Sequence, residues 1–127
     1  MNENISIRLD RIARALSSLR IPLTESEYQL HEWIAAALSS GGFVVQHEVP
    51  LAPRCRIDFL IDGVGIEVKR GKPQKAPLIR QCSRYLACEQ VEALILVLDT
   101  SVSLPRTLEG KPLIVFGLNR LWGVALP

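Results

Sequence analysis

The sequence predicts an α/β domain in which helices flank a mixed sheet. Three observations carry this reading. Two stretches with helical apolar spacing open the chain. Asp62-Gly63, set between apolar and β-branched flanks, is a hairpin signal in the middle. ALILVL, residues 93–98, is an uninterrupted apolar run, which is expected of a strand buried on both faces within a sheet. A length of 127 residues suits one domain. A composition of 48% hydrophobic and 22% charged residues is that of a folded globule, not a disordered chain.

Ile5, Leu9, Ile12, Leu16 and Leu19 form one helical stripe over residues 4–20, and Pro22 ends it. Thr24-Glu25-Ser26-Glu27 reads as a capping box opening a second helix. That helix points Leu30, Ile34, Ala37 and Leu38 inward and stops at Gly41-Gly42. FVVQHEV, residues 43–49, reads as a strand, with Pro50 and Pro53 bounding a loop after it.

The hairpin follows in RIDFLIDGVGIEVKR, residues 56–70. A two-residue type I′ turn needs φ > 0 at both positions, which Asp-Gly supplies. The turn then sets the register. Ile61 faces Val64, Phe59 faces Ile66 and Ile57 faces Val68 on an apolar side. Leu60 meets Gly65, Asp58 meets Glu67 and Arg56 meets Lys69 on the other, half-covered side. A basic loop, GKPQKAP, leads into a helix from about Pro77 to Gln90. After the 93–98 strand, residues 100–112 read as a loop. LIVFGL and LWGVAL read as a closing hairpin turning near Asn119-Arg120, and Trp33 and Trp122 are expected in the core.

Several classes are excluded. No apolar run approaches the ~18–20 residues of a membrane span. The N-terminal stretch contains Asp10 and lacks the apolar core of a signal peptide. Cys55, Cys82 and Cys88 have no CxxC spacing, so free thiols in a reducing cytoplasm are expected and a zinc site is not. Net charge is +2, yet residues 49–86 hold eight Lys/Arg against three acids. Two of those acids are Asp58 and Glu67. Facing Cβ atoms lie about 4.5–5.5 Å apart, and like charges there repel. Lys69 is a diagonal neighbour that offsets part of the repulsion. Mg²⁺ or Mn²⁺, which favour carboxylate oxygen, would offset more. A basic surround with an acidic centre suits a phosphate polymer. The plainer alternative is a solvated set of ion pairs, Asp58 with Lys69 and Glu67 with Arg56.

Asp58, eight further residues and Glu67-Val68-Lys69, on consecutive strands within an αβββαβ order from about Thr24 to Asp99, resemble the PD-(D/E)XK nuclease superfamily. Gln81-Cys82-Ser83-Arg84-Tyr85 on the next helix is similar to the QxxxY motif of its RecB-like branch. Ile57 stands where the motif has proline. The resemblance implies a restriction-endonuclease-like core carrying an extra N-terminal helix and C-terminal hairpin. It implies a small bacterial or phage nuclease that hydrolyses DNA phosphodiester bonds with Mg²⁺ or Mn²⁺. Asp58, Glu67, Lys69 and Gln81 would be catalytic. Asp58, Glu67 and the Val68 carbonyl would hold the ion, with Glu27 and His31 as further candidates. Arg56, Arg70, Lys72, Lys75, Arg80, Arg84 and Tyr85 would meet the nucleic acid. Four of these residues have an ordinary alternative: Glu27 as a cap, His31 as a surface or half-buried histidine, Gln81 and Tyr85 as packing at the helix–sheet seam. No separate sequence-reading domain is visible. Specificity would come from substrate shape, a homodimer through the N-terminal helix or a sheet edge, or a larger nucleic-acid-processing partner. The rival readings are an inactive nucleic-acid-binding or interaction module on the same fold, and an RNA-processing nuclease.

Overall fold

In a computed structural model that describes residues 3–17, 27–100 and 102–117, the chain runs α1 (Glu3–Ser17), α2 (Glu27–Ser40), β1 (Gln46–Ala52), β2 (Cys55–Ile61), β3 (Val64–Lys69), α3 (Lys75–Leu86), β4 (Ala93–Leu98), β5 (Thr107–Leu108) and β6 (Lys111–Gly117). The strands form one sheet in the order β1-β2-β3-β4-β6-β5. β1, β2 and β3 are antiparallel neighbours, β3, β4 and β6 run parallel, and β5 returns antiparallel to β6. The chain is an α/β protein with a mixed sheet between helices.

The α1 stripe is the predicted one. Ile5, Leu9, Ile12 and Leu16 are buried and pack, with Leu30, Ile34, Ala35 and Leu38 of α2, on Phe59, Ile61, Val64, Ile66, Val68, Ile95 and Val97. The opposite face carries α3, whose Leu78, Cys82, Tyr85 and Leu86 cover Ile57, Leu60, Leu94, Leu96 and Leu98. β4 feeds alternate residues into both layers and is buried throughout. That is why it reads as a continuous apolar run. Each fully buried Leu or Ile contributes roughly 1.5–3 kcal/mol.

The hairpin turn is as expected: Asp62 and Gly63 have φ of 45° and 84°, and the register is Phe59↔Ile66, Leu60↔Gly65, Ile61↔Val64. Arg8 of α1 clamps this turn. It donates to the Asp62 carbonyl and pairs with Glu92 at 3.5 Å. Gly42 at φ 90° turns the chain out of α2, and the Phe43 N–H closes on the Leu38 carbonyl at 3.1 Å.

Several expectations are corrected. The first strand is Gln46–Ala52, not 43–49, and Pro50 lies inside it. β1 is a sheet edge, where a proline is tolerated. The β1–β2 connection is therefore a tight turn at Pro53-Arg54. α3 spans Lys75–Leu86, shorter than the expected Pro77–Gln90 at its C-terminal end. Residues 100–112 are not all loop. Thr107↔Pro112 and Leu108↔Lys111 pair across Glu109-Gly110, both at positive φ, as at Asp62-Gly63. Trp33 is 44% exposed, because Ile34 and Leu30 take the inward positions of α2. The hairpin is covered on both faces, since α3 lies over the side expected to be half open, and β3 is buried from Val64 to Val68. Leu19, Pro22, Thr24, Asn119-Arg120, Trp122 and the LWGVAL segment lie outside the described residues. Among the described residues, no helix is long and apolar enough to cross a membrane.

Candidate functional site

The side-chain alternation of two neighbouring strands breaks at facing positions. Phe59 and Ile61 of β2 point to the α1/α2 layer, yet Ile57 joins the α3 layer beside Leu60. On β1, His47 packs edge-on against the Phe59 ring at 5.3 Å, while Val49 packs with the α3 layer. The pairs His47↔Phe59 and Val49↔Ile57 bracket the break, so Glu48 stands opposite Asp58. Glu48 has φ 49°, a left-handed conformation that a glutamate adopts only at a cost. Gly65 makes the break possible on the other side: a Cβ there would collide with Ile57 Cδ1. The expected facing of Ile57 and Val68 within one apolar side is therefore corrected, because Ile57 fills the space that Gly65 leaves on the α3 side.

The β2–β3 ladder reaches Phe59↔Ile66. Beyond it, the facing Asp58 and Glu67 exchange side-chain bonds with the opposite strand's backbone. The Asp58 N–H donates to Glu67 Oε1 at 3.1 Å, and the Val68 N–H donates to Asp58 Oδ2 at 2.8 Å. Each carboxylate thus fills a backbone donor that the ladder leaves open. Glu67 is 5% exposed. Burial, then the Asp58 charge, pushes its pKa up to about 7, against the Asp58 N–H, Lys69 and Tyr85. Asp58 is also raised, by burial first and by Glu48 and Glu27, while the Val68 N–H and His31 oppose. Lys69 Nζ lies 3.5 Å from Glu67 Oε2.

On the α2 side, His31 Nε2 is 3.5 Å from Asp58 Oδ2 and 3.9 Å from Glu27 Oε2. It is buried with no hydrogen-bond partner among the described residues. His31, Glu48 and Asp58 have donor atoms all within 4.8 Å of one another. They line a cavity of about 430 Å³ with Tyr28, His47 and Phe59. Atoms bound at ~2.0–2.2 Å to one ion lie up to ~4.4 Å apart, so this set fits a divalent cation with slight contraction. Of the expected ligands, the arrangement joins Asp58 and His31, brings Glu27 to the edge through His31, and leaves Glu67 in the gap on the α3 side. Glu48 was not anticipated. The turn at Pro53-Arg54 was only a partial signal. Its Ala52↔Cys55 pairing alone would set Glu48 opposite Phe59, and the register shift between Pro50 and Ala52 moves it opposite Asp58; the two prolines read as a loop.

Gln81 and Tyr85 sit at the seam between α3 and β2. Gln81 Nε2 donates to the Tyr85 hydroxyl at 2.9 Å, and that hydroxyl donates to the Arg56 carbonyl at 3.1 Å. Tyr85 is 3% exposed, so it braces β2 from inside and does not stand on the surface. Its single proton has two acceptors in reach, the Arg56 carbonyl and the Glu67 carboxylate. Arg56 pairs with Glu48 and Arg70 with Asp99, at 3.5 and 3.1 Å. Lys72, Lys75, Arg80 and Arg84 are exposed.

Glu67 gives the metal-free protein a testable pH signature. Its folded pKa lies above its ordinary 4.5. Between the two values the folded state holds more protons than the unfolded chain, so stability falls as pH rises through this window. In EDTA, wild type is expected to lose on the order of 3 kcal/mol between pH 4.5 and 8 through this group. Glu67→Gln keeps an acceptor for the Asp58 N–H and is expected to remove most of that slope. Urea unfolding of both proteins across this range checks it, and parallel pH profiles would contradict it.

Compared with family models, curated proteins and solved structures, the chain matches none.

Proposed function

We propose that this chain is a divalent-metal-dependent hydrolase of DNA phosphodiester bonds, of the PD-(D/E)XK kind. The observation that carries the reading is an excess of carboxylate at one point. Glu48, Asp58 and Glu67 take facing positions on three adjacent strands, and the buried members resist ionisation. His31 Nε2 adds, at the same place, a nitrogen with no hydrogen-bond partner among the described residues. A site short of positive charge, with imidazole and carboxylate donors converging, suits Mn²⁺ or Mg²⁺.

His31, Glu48 and Asp58 would hold the ion from the α2 side, with Glu67 and the Val68 carbonyl toward the strand gap. When bound, such an ion lowers the pKa of water and neutralises charge on the phosphate. The remaining roles belong to the chain. Lys69, 30% exposed in its side chain, offers an ammonium to the phosphate or the attacking water. Tyr85 and Gln81 hold β2 against α3 and so keep Asp58 and Glu67 opposed. The exposed Lys72, Lys75, Arg80 and Arg84 supply phosphate contacts without reading bases.

A second reading, an inactive binding module, is favoured by one observation: both central carboxylates already satisfy backbone N–H groups. The test is incubation with plasmid, linear duplex, single-stranded DNA and RNA, in Mg²⁺, Mn²⁺ or EDTA. Cleavage of DNA in either ion and none in EDTA is expected. Mn²⁺ should perform at least as well as Mg²⁺, because imidazole suits it better. No cleavage of any substrate would favour the binding module, and cleavage of RNA alone would reassign the substrate.

A further inference from the structure

The α3 side of β2 opens onto a second concavity, of about 410 Å³. Three guanidinium-bearing residues from three elements line it: Arg54 of the β1–β2 turn, Arg56 of β2 and Arg84 of α3. Pro50, Gln81 and Tyr85 contribute to its walls, and no carboxylate is among its lining residues. Its volume falls within the ~300–1,000 Å³ of ordinary ligand pockets. Arg56 has a distant partner in Glu48 at 3.5 Å. Among the described residues, Arg54 and Arg84 form no ion pair. Like charges gathered around one space without a counter-charge favour an anion. The planar guanidinium fork matches phosphate oxygens in pairs.

The charge count narrows the ligand. An internal phosphodiester carries one negative charge, whereas a phosphomonoester carries about −1.5 to −2 at pH 7. Three arginines with one weak partner exceed the need of a diester and suit a monoester. The location narrows it further. Tyr85 lines this concavity and also reaches Glu67, while the Arg56 carbonyl accepts its hydroxyl. The concavity and the carboxylate gap therefore share a wall.

We infer that this concavity binds the phosphomonoester end of a nucleic-acid strand. The inference rests on the hydrolase reading for its choice of polymer, but the anion site itself can be tested apart from cleavage. The full chain in EDTA is titrated, by fluorescence anisotropy, into one oligonucleotide sequence bearing a 5′-phosphate, a 3′-phosphate or hydroxyls at both ends. Calorimetry with nucleoside 5′- and 3′-monophosphates runs beside it. One phosphate-ended strand should bind about tenfold more tightly than the hydroxyl-ended strand, the scale of a charge-assisted bidentate contact. The monophosphate of the same polarity should bind at one site. Arg54→Ala should erase the preference and Arg54→Lys should restore part of it. Arg54 is exposed in a turn, so its truncation leaves the core intact. Equal binding of all three strands would overturn the inference. So would an Arg54→Ala variant that weakens all three alike, because the arginines would then contact internal diesters. An end preference without cleavage in Mn²⁺ keeps the pocket and removes the hydrolase. Cleavage with no end preference removes the pocket and keeps the hydrolase.

Discussion

Asp58→Asn is expected to abolish the proposed divalent-metal-dependent cleavage, lowering the rate by about 10³-fold or more, yet to leave the protein in EDTA at least as stable as wild type at pH 7.5. The two outcomes have separate causes. Asparagine has the same shape, so its Oδ1 still accepts the Val68 N–H that Asp58 Oδ2 accepts at 2.8 Å, and the gap between β2 and β3 keeps its width. The same oxygen position lies 3.5 Å from His31 Nε2, so the amide N–H₂ takes the position of the other carboxylate oxygen, Oδ1. The lost charge is one that burial, Glu48 and Glu27 already disfavour. A carboxylate whose folded pKa is raised costs stability once pH exceeds its ordinary value, so neutralising it relieves the fold at neutral pH. Cleavage would be lost because a neutral amide is a poorer ligand than a carboxylate for a hard cation. Single-turnover cleavage at saturating Mn²⁺ and urea unfolding in EDTA measure the two halves. Full-rate cleavage by the variant would sink the metal-site assignment. A clear loss of stability with activity retained would make Asp58 a structural carboxylate.

The site was only half legible in the sequence, and the reason is physical. The turn chemistry of Asp62-Gly63 and the apolar run of β4 are local properties, and each predicted the structure correctly; period-two alternation did so only from Phe59 to Ile66. The break at Asp58 is not local. Ile57 crosses to the α3 layer because Gly65 leaves room on the neighbouring strand, and that space exists only once β3 lies alongside. Glu48 was missed for a related reason. Its position opposite Asp58 depends on β1 pairing through Pro50↔Arg56, and a proline weighs against a strand unless the strand is known to be an edge. The burial of Glu67 likewise follows from α3 folding across the sheet, which nothing in residues 56–70 announces. Helix α1, by contrast, had a stripe whose partner was left open between sheet and dimer. It covers the sheet with α2.

Lys69→Met separates the lysine's chemistry from its effect on a neighbouring ligand. Its ammonium lies 3.5 Å from Glu67 Oε2 and lowers the Glu67 pKa against burial and Asp58. Methionine keeps the stem's packing and removes that charge. Two consequences follow at different points of the cycle. Glu67 becomes harder to ionise, so an ion must displace its proton, and apparent metal affinity falls more steeply as pH drops through neutrality. That loss is a binding effect, and high pH with excess metal repairs it. The chemical step is different. An ammonium that touches the attacking water or the phosphate in the transition state has no substitute in solution, and its removal costs ~10²–10³-fold in rate. Single-turnover cleavage at pH 8.5 and saturating Mn²⁺ should therefore stay about 10²–10³-fold below wild type, while calorimetry records an ion still bound. Recovery of the full rate under those conditions would mean that Lys69 acts only through Glu67. Lys69→Arg then divides the remaining possibilities. It keeps the positive charge but holds its proton throughout the accessible pH range. Substantial recovery by arginine points to electrostatic stabilisation of the phosphate, and none points to proton transfer by the lysine itself.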